Sequence, residues 1–222
     1  MKKFASLIMT MLLVLSVTAC GKAEPGKTSD TAGSGEAQTQ SSEAQEPESE
    51  YASGKHSVEI VVKDYGTIQV ELDADAAPIT VTNFLKLVNA GFYDGLTFHR
   101  IITGFMIQGG DPLGNGTGGS EERIQGEFSA NGVENTLSHT RGAISMARSK
   151  DMNSARSQFF IVHEDSDYLD GQYACFGYVT EGIEVVDDIC ATTPVTDRNG
   201  TVKAENQPVI ESIKVLEEAA EG

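Results

Sequence analysis

Positive charge is scarce in this sequence. Lys and Arg number 16 against 33 Asp and Glu, a formal net charge of −17 over 222 residues. Nucleic acids and anionic membranes are gripped through basic surfaces, so a chain this acidic fits neither as a partner. Metal-ligating side chains are few and dispersed: four histidines and three cysteines, with no His-x-x-x-His or Cys-x-x-Cys spacing to close around an ion. The glycine-rich run ending at Gly119 lacks the Gly-Lys-Ser/Thr ending of a phosphate loop, and it does not follow the strand–helix logic of a dinucleotide fingerprint. There is no Gly-x-Ser-x-Gly nucleophile elbow. Asp165, Asp167 and Asp170 fall out of register for a calcium loop, and no glutamate closes it. The expectation is therefore no metal and no cofactor. No internal repeat is present, and no second apolar span follows the one at the N-terminus.

That N-terminal span is short. Lys2 and Lys3 precede an apolar run from Phe4 to Val17, less than the ~20 residues of a comfortable transmembrane helix. Val17, Thr18 and Ala19 then lead into Cys20. The arrangement resembles a bacterial lipoprotein signal peptide. The resemblance implies removal of residues 1–19, lipidation of Cys20 and an extracytoplasmic protein anchored to the cell membrane through that lipid. An ordinary secretory signal cleaved after Ala19 is the alternative. Residues 21–55 carry Gly, Ser, Thr, Gln and acids such as Glu43, Glu46, Glu48 and Glu50, with no periodic apolar pattern. With Cys20 they read as a disordered acidic tether over 20–55. One domain, 56–222, remains, and its length suffices for a single core.

Strand alternation marks residues 58–63 and 67–72, joined by a turn at Asp64–Gly66. Pro78 opens a helix in which Val81, Phe84, Leu85 and Val88 share a face, and Gly91 ends it. Further strands are expected near 96–102, 105–109, 142–147, 158–162, 173–179 and 208–216, with a second helix over 183–189. Many strands, two helices and frequent turns predict a mainly β fold, a closed or nearly closed barrel capped by helices. Cys175 and Cys190 are read as buried free thiols, although an extracytoplasmic location permits a disulfide.

The stretch from Phe98 to Asp111 organises the rest. Simple alternation points Phe98, Arg100 and Ile102 one way and His99 and Ile101 the other. It offers a cation (Arg100), an aromatic (Phe105), a thioether (Met106) and an amide (Gln108). None is a good nucleophile or general base near neutral pH, but together they suit gripping an apolar ring beside a polarised amide. Two ordinary strands with Phe105 and Met106 as core and Arg100 at the rim are the plainer reading.

The segments 98–101, 104–111, 145–147, 157–161 and 169–171, with Phe176 and Gly177, resemble the cyclophilins in order and spacing over nearly all of 57–217. That family comprises peptidyl-prolyl cis–trans isomerases built on a closed, eight-stranded antiparallel barrel capped by two helices. The resemblance implies Arg100 as the catalytic arginine. It also implies a proline pocket of Phe105, Met106, Phe160 and Leu169, and Gln108 supporting arginine and substrate. The resemblance further implies that the backbone around Ala147 and Arg148 forms the groove for the residue before proline, and that Gln158 lines that groove. Tyr168 stands where a cyclosporin-contacting tryptophan often sits, Tyr173 replaces a histidine beside the pocket, and Arg148 replaces an asparagine. The implied partners are proline-containing segments of secreted or surface proteins, met by a protein expected to act as a monomer. A binding module that grips the same segments without catalysis is the rival, and Arg100 separates the two.

Overall fold

A computed structural model describes residues 51–216; the expected signal peptide, Cys20 and the tether as far as residue 50 lie outside the described residues. Eight strands form: β1 Lys55–Val62, β2 Gly66–Asp73, β3 Phe98–Ile102, β4 Met106–Gly109, β5 Ala143–Met146, β6 Phe159–Val162, β7 Cys175–Glu181 and β8 Ile210–Val215. Two α-helices accompany them, α1 Pro78–Asn89 and α2 Ile183–Thr192. The sheet order is β3-β4-β6-β5-β7-β2-β1-β8, and every ladder is antiparallel.

Two expectations need correction. The sheet does not close into a continuous barrel. β3 and β8 are its edges, and they share no ladder; residues just ahead of them meet at one bridge, Thr97 with Val209, supported by Phe98 N–H to Pro208 O at 2.9 Å. The domain also begins before residue 56. Ala52 N–H donates to Thr82 Oγ at 2.7 Å, Gly54 N–H donates to Asp75 Oδ1 at 2.8 Å, and β1 already includes Lys55. Hydrogen bonds to Thr82 and Asp75, 30 and 21 residues further along the chain and invisible to local composition, hold these residues.

The helix α1 shows how sequence becomes local structure. Pro78 occupies its first turn, where a missing N–H costs nothing. Ala77 provides no side-chain cap. The buried carboxylate of Glu127 serves instead, accepting from Ile79 N–H at 3.0 Å and Thr80 N–H at 2.7 Å. At the other end Gly91 adopts φ 65°, so that Gly91 N–H reaches Val88 O and Phe92 N–H reaches Leu87 O. That paired closure needs a left-handed residue, which glycine supplies without a Cβ clash.

The core lies on one face of the sheet. Val58, Ile60 and Val62 of β1 and Ile68, Val70 and Leu72 of β2 alternate into it. Phe84 of α1 packs there against the rings of Tyr93, Phe159 and Phe176 at 5.1–5.6 Å between centroids. The central strands β5 and β6 are buried on both faces, which explains the unbroken apolar run of β6; β5 is interrupted only by Ser145. Phe159 and Ile161 face the main core, while Phe160 and Val162 face a second cluster with Met106, Ala143, Leu169 and Cys175. Cys175 and Cys190 are free and buried, as read from the sequence. Burial pushes their thiols up to about 12 and about 11, so neither is a reactive thiolate at neutral pH.

Replacing Glu127 by Ala leaves two N–H donors at the start of α1, one buried and one half-buried, without an acceptor. Urea unfolding of E127A is expected to show a loss of about 2–4 kcal/mol. A loss below about 0.5 kcal/mol would mean that the long-range cap is dispensable.

Candidate active site

The second cluster carries a concave surface on the outer face of β3, β4 and β6. A cavity of about 200 Å³ is lined by Arg100, Phe105, Met106, Gln108, Ala147, Arg148, Phe160, Leu169 and Tyr173. Gln158 borders the adjoining cavity. Tyr168 stands at the rim, 61 % exposed, with its ring 5.9 Å from that of Phe105.

Arg100 reaches this face through an irregularity that simple alternation misses. Phe98 pairs with Gly109 and Arg100 with Gln108, so β3 holds one extra residue there, a β-bulge. The bulge corrects the expected facing: Phe98 turns into the main core with Ile101, while Arg100 points to the opposite side with Ile102.

The guanidinium is held by neutral acceptors. Its Nε–H donates to Asn199 O at 2.8 Å and its Nη1 to Gln108 Oε1 at 3.1 Å, with the Met106 sulfur 3.9 Å away. The Nη2 group has no hydrogen bond, and no carboxylate lies within 4 Å, among the described residues. Burial lowers the Arg100 pKa, opposed by Tyr173, Asp197 and Tyr168; a guanidinium starts so high that its charge survives at any physiological pH.

A relay of amides fixes the orientation. Gln108 Nε2 donates to Gln158 Oε1 at 2.9 Å, and Gln158 Nε2 donates to Gly118 O at 2.8 Å. Each amide is thus spoken for at both ends, and neither can flip without breaking two bonds. The glycine-rich loop that ends the relay is wrapped around its own anion. Asp111, almost fully buried, accepts from Leu113, Asn115 and Gly116 N–H groups at 2.6–3.1 Å. Burial pushes the Asp111 carboxyl up, but those N–H bonds outweigh it and hold it below the usual range. The loop's donors are therefore spent internally rather than offered to a phosphate.

Sequence reasoning missed two supports. The first is the turn at 197–201. Asp197 accepts from Asn199 N–H, Thr201 N–H and Thr201 Oγ–H, which aims the Asn199 carbonyl at Arg100. Gly200 at φ 78° lies against β3, where a Cβ would run into the Ile101 carbonyl. The second is His139, buried beneath Phe160 with the two rings stacked at 6.0 Å. Its Nδ1 lies 2.7 Å from Asp170 Oδ1 and its Nε2 3.0 Å from Ser145 Oγ. A carboxylate only accepts, so Nδ1 carries the proton and the Ser145 hydroxyl donates to Nε2. Ser138 Oγ–H also donates to Asp170, at 2.6 Å. The geometry has the form of a serine–histidine–carboxylate set, but Ser145 is fully buried and faces no substrate. It fixes the floor under Phe160. Dispersed in sequence, these residues gave no local signal.

The comparisons agree with one another. A family model described as cyclophilin type peptidyl-prolyl cis-trans isomerase matches residues 57–215. The chain belongs to the cyclophilin-type isomerases. It is 49 % identical over 124 residues to peptidyl-prolyl cis-trans isomerase B of Bacillus subtilis, covering 56 % of this chain and 83 % of that one. It is 44 % identical over 146 residues to the peptidyl-prolyl cis-trans isomerase of Synechococcus elongatus, covering 62 % of this chain and 96 % of that one. A cyclophilin type isomerase of Cryptosporidium parvum, solved in the presence of the dipeptide Ala-Pro, superposes with a TM-score of 0.64 at 33 % identity. That superposition covers 72 % of this chain and 98 % of the other. The isomerase thus has the cyclophilin-like arrangement of eight antiparallel strands and two helices.

Two buried histidines set an acid limit on the fold. Burial lowers the His139 pKa against the pull of Asp170, and burial lowers that of His99 against the pull of Asp111. Both are held below the ordinary 6.5, so below that pH the unfolded chain binds more protons and stability falls as pH drops. The urea midpoint is expected to be lower at pH 5.5 than at pH 7.5, with a smaller difference in H139N. An identical pH dependence in the variant would remove His139 as a source.

Proposed function

We propose that this cyclophilin-type isomerase is an extracytoplasmic enzyme, anchored by lipid on Cys20, that accelerates X–Pro bond rotation in secreted or surface proteins and so assists their folding. The observation that carries the chemical part is the unspent Nη2 of Arg100 beside an apolar cavity. Rotation about a peptide bond meets a barrier of ~18–20 kcal/mol because C–N resonance is lost at the perpendicular geometry. The twisted amide has a pyramidal, basic nitrogen, and its carbonyl regains ketone character. A fixed guanidinium favours that state over the planar one without transferring a proton. Phe105, Met106, Phe160 and Leu169 hold the proline ring while the preceding carbonyl swings past Ala147 and Arg148. The Ala-Pro dipeptide used with the Cryptosporidium relative supports this class of substrate. The membrane part rests on Lys2, Lys3, the apolar run and Cys20. Multiple acyl chains give a stable anchor where one chain gives a reversible one.

Cis–trans exchange of a short Ala-Pro peptide, followed by NMR, tests the mechanism on the full chain and its Arg100→Ala variant. The parent is expected to accelerate exchange and R100A to lose roughly 10²–10³-fold, the size of a lost preorganised donor. Binding without acceleration in both would make the groove a binding module. For the anchor, a radiolabelled fatty acid fed to producing cells is expected to mark the chain. In a Cys20→Ser variant the label and the membrane association should vanish together; label retained in C20S would sink the lipid assignment.

A further inference from the structure

Beside the proline cavity lies a second cavity of about 240 Å³, sharing with it Gln108, Ala147 and Arg148. Arg123 and Arg156 also border it, so three of the protein's scarce cations converge on one concavity. Their charge is barely compensated. Arg148 is bound by backbone carbonyls, from Nε and Nη2 to Gln172 O and from Nη1 to Ser149 O, and lies over the rings of Tyr173 and Phe128 at 4.6 and 5.1 Å. Arg156 makes one long bond, Nη2 to Glu121 O at 3.4 Å, and its buried Nε has no partner among the described residues. Only Arg123 meets a carboxylate, Asp151 at 3.9 Å, with both side chains about 60 % exposed. Such a pair is too loose and too wet to neutralise the site.

Neutral carbonyls fix a guanidinium without cancelling its field, so the three cations repel one another until an anion enters. A concave surface focuses that field. The cavity is the size of a side chain and smaller than pockets that enclose drug-sized ligands. Its wall is continuous with the proline cavity on the side of Ala147 and Arg148, where the residue before proline is expected to lie. At 3.3–3.6 Å per extended residue, a neighbouring side chain enters from about one to three positions upstream.

We propose that this arginine-lined cavity receives the carboxylate of an Asp or Glu lying one to three residues before the proline, and that the enzyme thereby selects acidic client segments. Arg156 and Arg123 are the specificity-determining residues, with Arg148 as a fixed positive wall. The inference rests on the isomerase reading above and adds the substrate class. It runs against the net charge of −17, which by itself would favour basic clients.

Matched peptides of the form Glu-Ala-Pro, Gln-Ala-Pro and Ala-Pro-Glu, blocked at both ends, separate the possibilities in an NMR exchange assay on the full chain. Glu-Ala-Pro is expected to exceed Gln-Ala-Pro by roughly fivefold in kcat/KM, mostly through KM. The advantage should collapse in 1 M salt, where the screening length is ~3 Å, and in the Arg123→Gln/Arg156→Gln double variant. Equal rates for the Glu and Gln peptides, or a preference that survives both salt and the double variant, would overturn the proposal. A preference for Ala-Pro-Glu would overturn its placement upstream. If no peptide is accelerated, the isomerase reading itself falls and the acidic subsite falls with it.

Discussion

The guanidinium of Arg100 is half-buried, bonded to a backbone carbonyl and an amide oxygen, and without a carboxylate at ion-pairing distance among the described residues. A carboxylate partner would lower the cost of burial more, but it would also quench the field that reaches a substrate. Neutral acceptors fix direction and leave the charge intact. Much of the surrounding architecture follows from that choice. The bulge in β3 aims the side chain, the 197–201 turn carries a carbonyl across to Nε, and two glutamines in series hold the other acceptor in place. The turn depends in turn on Asp197 and on a residue at position 200 that lacks a Cβ.

The apolar half of the site is a second core on the far side of the sheet from the first. Strands β4 to β7 present one set of side chains to each, so Phe159 and Phe160 belong to different clusters though adjacent in sequence. Tight packing on the inner face fixes the backbone from which the outer face projects. The His139 network then pins Phe160 from below through Asp170 and Ser145. The pocket is therefore held firmly where it meets the ring, while Tyr168 at its margin remains exposed.

The strands and helices were legible because period and punctuation coincide: alternation in β1 and β2, the Val81/Phe84/Val88 face of α1, and Pro78 and Gly91 at its ends. Arg100, Phe105, Met106 and Gln108 stood out as one stretch, Phe160 and Leu169 were added through the family resemblance, and the fold brings all of them around one cavity. What escaped is what no local window contains. A bulge is a property of two strands in register, and it reversed the facing of Phe98 relative to Arg100. The Asn199 carbonyl comes from 99 residues beyond the arginine it holds. Barrel closure was overestimated because strand count does not say whether the outermost pair forms a ladder. Arg123 and Arg156 carried no signal in sequence, since each is one charge in a polar loop until the fold gathers them.

An enzyme whose substrates are extended chain segments faces a hazard of its own, because an open sheet edge is a template on which such segments can add as a further strand. Here β3 is flanked by residues 200–202, with Ile101 N–H bound to Gly200 O and Val202 N–H to His99 O. β8 is met at Ile210 by Gly95 and Leu96, and α1 lies against it. The chain's own backbone thus lines the β3 rim, and it meets the β8 rim at Ile210. Strand addition along β3 is thereby blocked, which leaves an extended peptide the side-chain cavities on the outer face of the sheet as its place of contact.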